Sequence, residues 1–159
     1  YQGISVQSKS GHSFIKDKMR EHNAVYGGEM SAHHYFRDFS YCDSGMIPWL
    51  LVVSVLYETG KSLSSLVEEM ITKFPCSGEI NFKVADTQIT IQKLFDHFAN
   101  QNPSIDHTDG VSLDFGAWRF NVRASNPKPL LRLNIETRLD QHPKPLQDYV
   151  DELTRLIQN

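Results

Sequence analysis

Apolar residues recur at helical spacing through most of the first 75 residues. The pattern predicts helices over residues 10–24, 46–57 and 62–74, with a short strand at 25–29. The segment 46–57 is apolar almost throughout but too short to span a bilayer, so we expect a buried helix. Ser10 could cap the first helix. These elements suit the end of an α/β domain whose earlier strands are missing.

The hydrophobic pattern changes after "PCSG" at residues 75–78, which marks the predicted domain boundary. Strict alternation predicts strands over 79–84, 117–125 and 130–136, with a hairpin around Asp109-Gly110 and helices over 86–101 and 144–158. Asp86 is the expected N-cap of the first of these helices. We therefore predict an α+β domain, an antiparallel sheet with helices on one face, so that the two domains are 1–75 and 76–159.

Composition narrows the class of protein. The 159 residues are 40% hydrophobic, enough for packed cores, and carry a formal net charge of −3. This acidic balance gives no general attraction to nucleic acid or to anionic membranes, so we expect neither as a partner. Cys42 and Cys76 form no CxxC pair, which argues against a disulfide framework or a thiolate zinc site and favours a cytoplasmic location.

A first candidate site lies in "WRFNVRASNPKP", residues 118–129. In a strand, Trp118, Phe120, Val122 and Ala124 would face the core, and Arg119, Asn121, Arg123 and Ser125 would share the other face. A guanidinium, a hydroxyl and the amide of Asn126 converging on a turn could hold a phosphate or a carboxylate. The alternative is an ordinary solvated strand face.

A second candidate site is "GGEMSAHHYF", residues 27–36. If the segment is extended, Glu29, Ser31 and His33 project to one side, where they could recognise vicinal sugar hydroxyls. Ser31 and His33 could instead be a nucleophile and its base, or Glu29, His33 and His34 could bind zinc; neither matches a known spacing. A plain surface loop is a further alternative. His12, at a predicted helix start, could lie beside an anion or be an ordinary surface histidine.

These motifs together resemble the α-D-phosphohexomutase superfamily, in its phosphomannomutase/phosphoglucomutase branch. "GGEMSAHHYF" resembles the sugar-specificity loop, close to GEMSGH, and "RASNPKP" resembles the phosphate-binding loop, RxSNTxP. "KSGHSFIKDKM" is similar to the helix that precedes the sugar loop. The tract "DGVSLDFGAWRFNVRASN" is most similar to bacterial phosphomannomutases of polysaccharide and GDP-mannose synthesis. The resemblance covers essentially the whole chain.

The resemblance implies a four-domain parent. Domain one would carry a phosphorylated serine in a TASHNP-like motif and domain two a Mg²⁺ loop, DGDxDR-like; neither motif occurs here. The chain resembles the end of domain three plus domain four, which has a TATA-binding-protein-like fold. This fragment is therefore expected to be inactive alone and to bind no cofactor itself, whereas the parent would use Mg²⁺ and a hexose 1,6-bisphosphate activator.

The resemblance also assigns roles to single residues. Glu29 and Ser31, with His33 beside them, would bind the sugar hydroxyls of a hexose phosphate, and His12 would lie near the reacting phosphoryl group as a catalytic residue. Arg123, Ser125 and Asn126 would hold the phosphate that is not transferred.

Two departures from the family motifs matter. Ala32 replaces a glycine, a mild change if its backbone angle is ordinary, and Pro127 and Lys128 replace Thr and, commonly, Glu. A stand-alone sugar-phosphate-binding module is the alternative function. A DNA-binding domain, suggested only by the fold type, is disfavoured by the acidic charge.

Overall fold

The computed structural model describes residues 3–125, 130–138 and 144–158. It divides into two compact units, Tyr1–Ser65 and Leu66–Asn159, and each has its own hydrophobic core.

The first unit is a helix packed on a small antiparallel sheet. Its elements are α1 (His12–Glu21), β1 (Tyr26–Gly28), β2 (His34–Phe36), a 3-10 turn (Arg37–Phe39) and β3 (Cys42–Asp43), with strand order β1-β2-β3. Ile15 and Met19 of α1 are buried against Tyr35 of β2. A Cβ at Gly27 would lie 2.8 Å from the Met19 sulfur, so glycine is what lets α1 approach β1 this closely.

The start of α1 differs from the prediction. Gly11, with φ of 124°, occupies the N-cap position and provides no side-chain cap. The expectation that Ser10 caps the helix is therefore wrong. Glycine is favoured at this point because the chain enters the helix at a positive φ that other residues adopt only at a cost.

The apolar helix α2 (Met46–Thr59) is followed by α3 (Leu63–Lys73). No residue of α2 is buried; the side chains of Trp49 and Leu50 are more than half exposed. The expected burial is therefore wrong for this chain. The small sheet packs on α1 instead, so its core buries no residue of α2.

By length and apolar composition, no single helix among the described residues could cross a membrane. The helices α2 and α3 meet this criterion only when they are taken together across a bend.

The second unit is an α+β domain, as predicted. Its elements are β4 (Ile80–Lys83), α4 (Thr87–Phe98), a 3-10 turn (Ala99–Gln101), β5 (Ser104–Asp106), β6 (Val111–Asp114), β7 (Trp118–Ala124), β8 (Leu130–Thr137) and α5 (Leu146–Gln158). The strands form one antiparallel sheet in the order β4-β8-β7-β6-β5. Asp86 caps α4 as predicted, because its carboxylate accepts from the Gln88 and Ile89 amides at 2.8 and 3.0 Å.

Both helices cover the same face of this sheet. The buried residues of α4, α5 and the strands form one cluster: Phe82, Leu94, Phe98, Leu113, Trp118, Phe120, Val122, Leu131, Leu133, Ile135, Tyr149, Leu153 and Ile157. Because side chains alternate along a strand, the charged and amide side chains of β7 and β8 lie on the opposite face, away from the helices. The predicted inward positions of Trp118, Phe120 and Val122 are confirmed, whereas Ala124 is only partly buried.

Candidate functional site

The residues of the predicted sugar loop, 29–33, lie in a tight hairpin turn between β1 and β2. The Glu29 amide donates to the His33 carbonyl at 3.0 Å, and the Ala32 amide donates to the Glu29 carbonyl at 3.1 Å. Ala32 has φ of 63°. This is the three-residue hairpin loop in which a turn is followed by one left-handed residue. The extended conformation considered from the sequence is therefore wrong, although Glu29, Ser31 and His33 do share one short loop.

Ala32 occupies the position where this loop type ordinarily has glycine. A left-handed φ brings Cβ close to the following carbonyl oxygen, which costs an alanine roughly 1 kcal/mol. The backbone angle is thus not ordinary, and the replacement of the family's glycine is not mild. The rest of the hairpin must hold this strained residue in place.

The Glu29 carboxylate is oriented by a buried phenol. The hydroxyl of Tyr35, a residue only 1% exposed, donates to Glu29 Oε1. Burial raises the pKa of the Tyr35 phenol, and the bond to Glu29 raises it further, so the hydroxyl remains a donor. This contact fixes one carboxylate oxygen of Glu29. The sequence analysis missed this role of Tyr35 because its aromatic ring indicated only the core.

A carboxylate on β3 holds His33. Asp43 Oδ2 lies 2.7 Å from His33 Nδ1, and Asp43 Oδ1 accepts from the His34 amide at 2.9 Å. The hydrogen bond to Asp43 raises the pKa of His33, and the same bond lowers the pKa of Asp43. Asp43 was not predicted, because its position beside His33 depends on the pairing of β2 with β3.

The two rival chemistries proposed for this loop find no support among the described residues. His33 faces Asp43, whereas His34 Nδ1 lies 2.7 Å from the Tyr26 hydroxyl, so the adjacent histidines diverge. No group of three or more His, Cys, Asp or Glu side chains in the described ranges is placed to hold a metal ion. Ser31 makes no hydrogen bond to His33 in this part of the chain, so a nucleophile and base pair is not formed.

His12 is the first residue of α1 and is exposed. The helix has no acidic residue in its first turn, so its free amide groups and the imidazole leave this end favourable for an anion. Its proposed catalytic role stays a prediction.

In the second unit, Arg123 lies near the end of β7 and is already paired. Its Nη1 atom is 3.1 Å from Asp109 Oδ2, and its Nη2 atom is 4.0 Å from Glu79 Oε2. The side chains of all three residues are about 30% exposed. Carboxylates therefore orient the Arg123 guanidinium in the absence of a ligand. The alternative of an ordinary solvated strand face does not account for these two ion pairs.

Asp109 is positioned by the β5–β6 hairpin, which the sequence predicted. A Cβ at Gly110 would lie 2.4 Å from the Val122 carbonyl oxygen, so only glycine lets the hairpin turn approach β7 this closely. The Asn121 side-chain amide also donates to the Asp109 carbonyl at 2.9 Å. The turn and β7 together place the Asp109 carboxylate beside Arg123.

Ser125 closes the base of the predicted phosphate loop. Its amide donates to the Leu130 carbonyl at 2.9 Å, directly after the β7–β8 pairing. Asn126, Pro127 and Lys128 lie outside the described residues, so the prediction for Asn126 stays a prediction.

Arg132 is a further cation beside this site that the sequence analysis did not single out. It is the direct partner of Arg123 in the β7–β8 register, and its Nη1 atom lies 3.4 Å from Glu79 Oε2. The strict alternation of "LLRLNIE" could have placed it on the polar face. The register that sets it opposite Arg123 could not be derived from that pattern.

Comparison with known protein families gives two matches in succession. Residues 1–74 match the model of phosphoglucomutase/phosphomannomutase, alpha/beta/alpha domain III, and residues 79–153 match that of its C-terminal domain. The chain belongs to the phosphoglucomutase/phosphomannomutase family. Its residues correspond to the C-terminal part of that family's proteins, as the resemblance in sequence predicted. The two matches lie on either side of residues 75–78.

Individual relatives agree with this family. The chain is 62% identical over 138 residues to the "Phosphohexose mutases" protein of Xanthomonas campestris pv. campestris, covering 87% of this chain and 31% of the relative. It is 52% identical to a phosphomannomutase of Vibrio cholerae, covering 98% of this chain and 33% of the relative. A phosphomannomutase of Escherichia coli K12 is 54% identical over 87% of this chain and 30% of its own length. The chain thus spans about a third of the phosphohexomutases that it matches.

A solved structure supports the fold. A phosphoglucomutase/phosphomannomutase family protein of Burkholderia thailandensis superposes with a TM-score of 0.67 at 24% identity, over 96% of this chain and 32% of that one.

Proposed function

We propose that this chain supplies the sugar-binding loop and the distal phosphate site of a phosphomannomutase that interconverts mannose 6-phosphate and mannose 1-phosphate. Glucose phosphates are further candidate substrates. The activity would belong to the intact protein, in the cytoplasm, where it would provide mannose 1-phosphate for GDP-mannose synthesis. The 159-residue chain alone would bind hexose phosphate weakly and turn none over.

The observation that carries this proposal is the paired Arg123 guanidinium near the end of β7, two residues before Ser125. A guanidinium forms two parallel, charge-assisted hydrogen bonds to a phosphate, and the carboxylates around Arg123 hold its plane in place. An anchor of this kind uses binding energy remote from the reacting atoms to position the group that is transferred.

The hairpin Glu29–His33 is suited to binding the hydroxyl groups of the sugar. The Glu29 carboxylate, oriented by Tyr35, can accept from two vicinal hydroxyls, while the Ser31 hydroxyl can both donate and accept. Protonation of His33, favoured by Asp43, would add a donor toward the sugar or its phosphate. His12 would act near the reacting phosphoryl group.

Mg²⁺ and a hexose 1,6-bisphosphate activator are proposed for the intact protein. The described residues do not fit a metal site, since no group of three or more potential ligands comes together. The resemblance assigns the Mg²⁺ loop and the phosphoserine to the domains that this chain lacks.

The test is an assay of the full-length protein encoded by the gene. Conversion of mannose 6-phosphate is followed by ³¹P NMR with Mg²⁺ and glucose 1,6-bisphosphate. We expect turnover, with a larger loss in kcat/KM for Arg123→Ala than for Glu29→Ala, because the phosphate carries the charge. Arg119→Ala is the matched control, since it removes a cation from the same strand face. If the full-length protein converted neither mannose 6-phosphate nor glucose 6-phosphate, the proposal would be refuted.

The alternative, a stand-alone sugar-phosphate-binding module, makes a different prediction. It requires that the gene encode no serine-loop and no metal-loop domain before this chain, and that the 159 residues alone bind hexose phosphate tightly.

A further inference from the structure

Tyr35 belongs to the core of the first unit, yet its hydroxyl is bonded to a residue of the hairpin loop. The residue is only 1% exposed and packs with Ile15 and Met19 of α1. The hydroxyl donates to Glu29 Oε1 across the β1–β2 hairpin. A buried phenol needs such an acceptor, since an unpartnered hydroxyl in a core is costly. The helix therefore fixes the ring, and the ring fixes one carboxylate oxygen in the loop.

This contact is not a general property of the buried tyrosines in this chain. Tyr149 of the second unit is also 1% exposed, but its hydroxyl has no hydrogen-bond partner among the described residues. A phenylalanine at position 35 would fill nearly the same volume of the core. The additional oxygen of Tyr35 is bonded to the one carboxylate of the predicted sugar loop, which indicates a role in recognition as well as in packing.

We propose that Tyr35 is a positioning residue for sugar recognition, which holds Glu29 so that its Oε2 atom meets the hydroxyl groups of a hexose phosphate. Tyr35 itself does not touch the sugar. The inference rests on the proposed function and deepens it, because it names the group that gives the sugar-binding acceptor its orientation. The phenol keeps Oε1, and the two lone pairs of Oε2 remain for the substrate.

The physical benefit of the contact is preorganisation. A glutamate side chain in a short loop has several rotamers, and ordering them when the ligand arrives costs binding free energy. With the phenol in place, this ordering is completed during folding. Loss of the hydroxyl should weaken the binding of the substrate and of the transition state alike, since the sugar is held in both. The expected change is therefore in KM, with little change in kcat.

A purely structural role gives a different expectation. Tyr35 would then only fill the core beneath the hairpin, and Tyr35→Phe would alter activity by the same factor whatever residue stands at position 29. A double-mutant cycle with Glu29 separates the two roles, because a residue that acts through Glu29 has no effect once that carboxylate is removed.

The experiment measures kcat and KM of the full-length protein for mannose 6-phosphate. We expect Tyr35→Phe to raise KM about fivefold, the size of a modest charge-assisted contact, and to change kcat by less than about twofold. In the Glu29→Ala background, the same substitution should change kcat/KM by less than about twofold. Tyr26→Phe is the matched control. The Tyr26 hydroxyl lies 2.7 Å from His34 Nδ1 in the same hairpin, so its removal should keep KM within about twofold.

Glu29→Gln keeps the test available if Tyr35→Phe does not fold. A carboxamide has a single acceptor oxygen, and the buried phenol should retain it because a buried donor without an acceptor is costly. The sugar then meets the NH₂ group instead of a charged acceptor, so the loss in kcat/KM should be close to that of Glu29→Ala. If Glu29→Gln kept kcat/KM within about twofold of the unchanged protein, the proposal would be overturned.

The outcomes also distinguish this inference from the proposed function. If the KM of Tyr35→Phe matched that of Tyr26→Phe, or if the effect of Tyr35→Phe persisted in full without Glu29, the positioning role would be refuted and the mutase proposal would stand. If the unchanged full-length protein converted neither hexose phosphate, both would fail.

Discussion

Truncation of Leu133 tests whether the second unit has one cooperative core beneath the proposed phosphate face. Leu133 is fully buried at the centre of β8, between Ile80 of β4 and Val122 of β7. Leu133→Ala removes three carbons, worth about 2.4 kcal/mol at about 0.8 kcal/mol per buried methylene. The cavity left behind raises the expected loss to roughly 3–4 kcal/mol.

Tryptophan fluorescence during urea unfolding measures this loss. The chain has two tryptophans: Trp118 is 8% exposed in this core, whereas Trp49 is 58% exposed, so the spectral change reports mainly on Trp118. With a urea dependence of about 1.5 kcal/mol per molar, the midpoint should fall by roughly 2 M in Leu133→Ala.

Two further variants make the measurement decisive. Leu133→Val removes one carbon and should cost about 1 kcal/mol, which keeps the test available if Leu133→Ala does not fold. Ile89→Ala, at a side chain 69% exposed on α4, should change the stability by less than about 0.5 kcal/mol. If Leu133→Ala shifted the midpoint no more than Ile89→Ala, the single-core reasoning would be refuted.

Three more changes have defined outcomes. Ala32→Gly should stabilise the β1–β2 hairpin by roughly 0.5 kcal/mol, because the relieved backbone strain exceeds the entropy that glycine adds to the unfolded chain. Amide hydrogen exchange in the loop should then be slower, and faster exchange would contradict this. Asp43→Asn should lower the pKa of His33 in an NMR titration, and an unchanged pKa would disprove the pairing. Because the folded pKa of His33 is raised, its contribution to stability is full below the unfolded pKa and is lost as pH rises through the folded one. Asp86→Ala should cost α4 about 1 kcal/mol, read from the urea midpoint, and no loss would mean that the cap is dispensable.

Local patterns predicted the second unit well. The cap at Asp86 depends on residues within three positions, and the two faces of β7 follow from alternation, so both could be derived from neighbouring residues. The sheet and its hairpin were predicted for the same reason, since turn residues and strand alternation are short-range signals.

The sugar loop could not be predicted from its pattern because its decisive residue gives the wrong signal. A glycine at position 32 would have indicated a left-handed turn, whereas alanine indicates ordinary backbone. The same difficulty affects α2, whose composition predicts burial although neighbouring elements decide whether it occurs.

The proposed phosphate site shows most clearly what local sequence patterns cannot predict. Arg123 and Ser125 are two residues apart and could be linked through strand geometry. Glu79 and Arg132 are 53 residues apart along the chain, and their contact exists only because β4 pairs with β8. The ion pairs that orient Arg123 therefore follow from strand order and register, which no motif records.

That strand order has a consequence for how the unit assembles. Among the described residues, β4, the first strand of this unit, pairs with β8 alone, so this sheet cannot be completed until the chain through Thr137 is available. Pairing over such a separation requires the closure of a long loop and is intrinsically slow. The sheet face that carries Arg123 should thus be among the last parts to form during folding. A nascent chain that ends before β8 would contain Glu79 and Arg123 without the strand that brings them together.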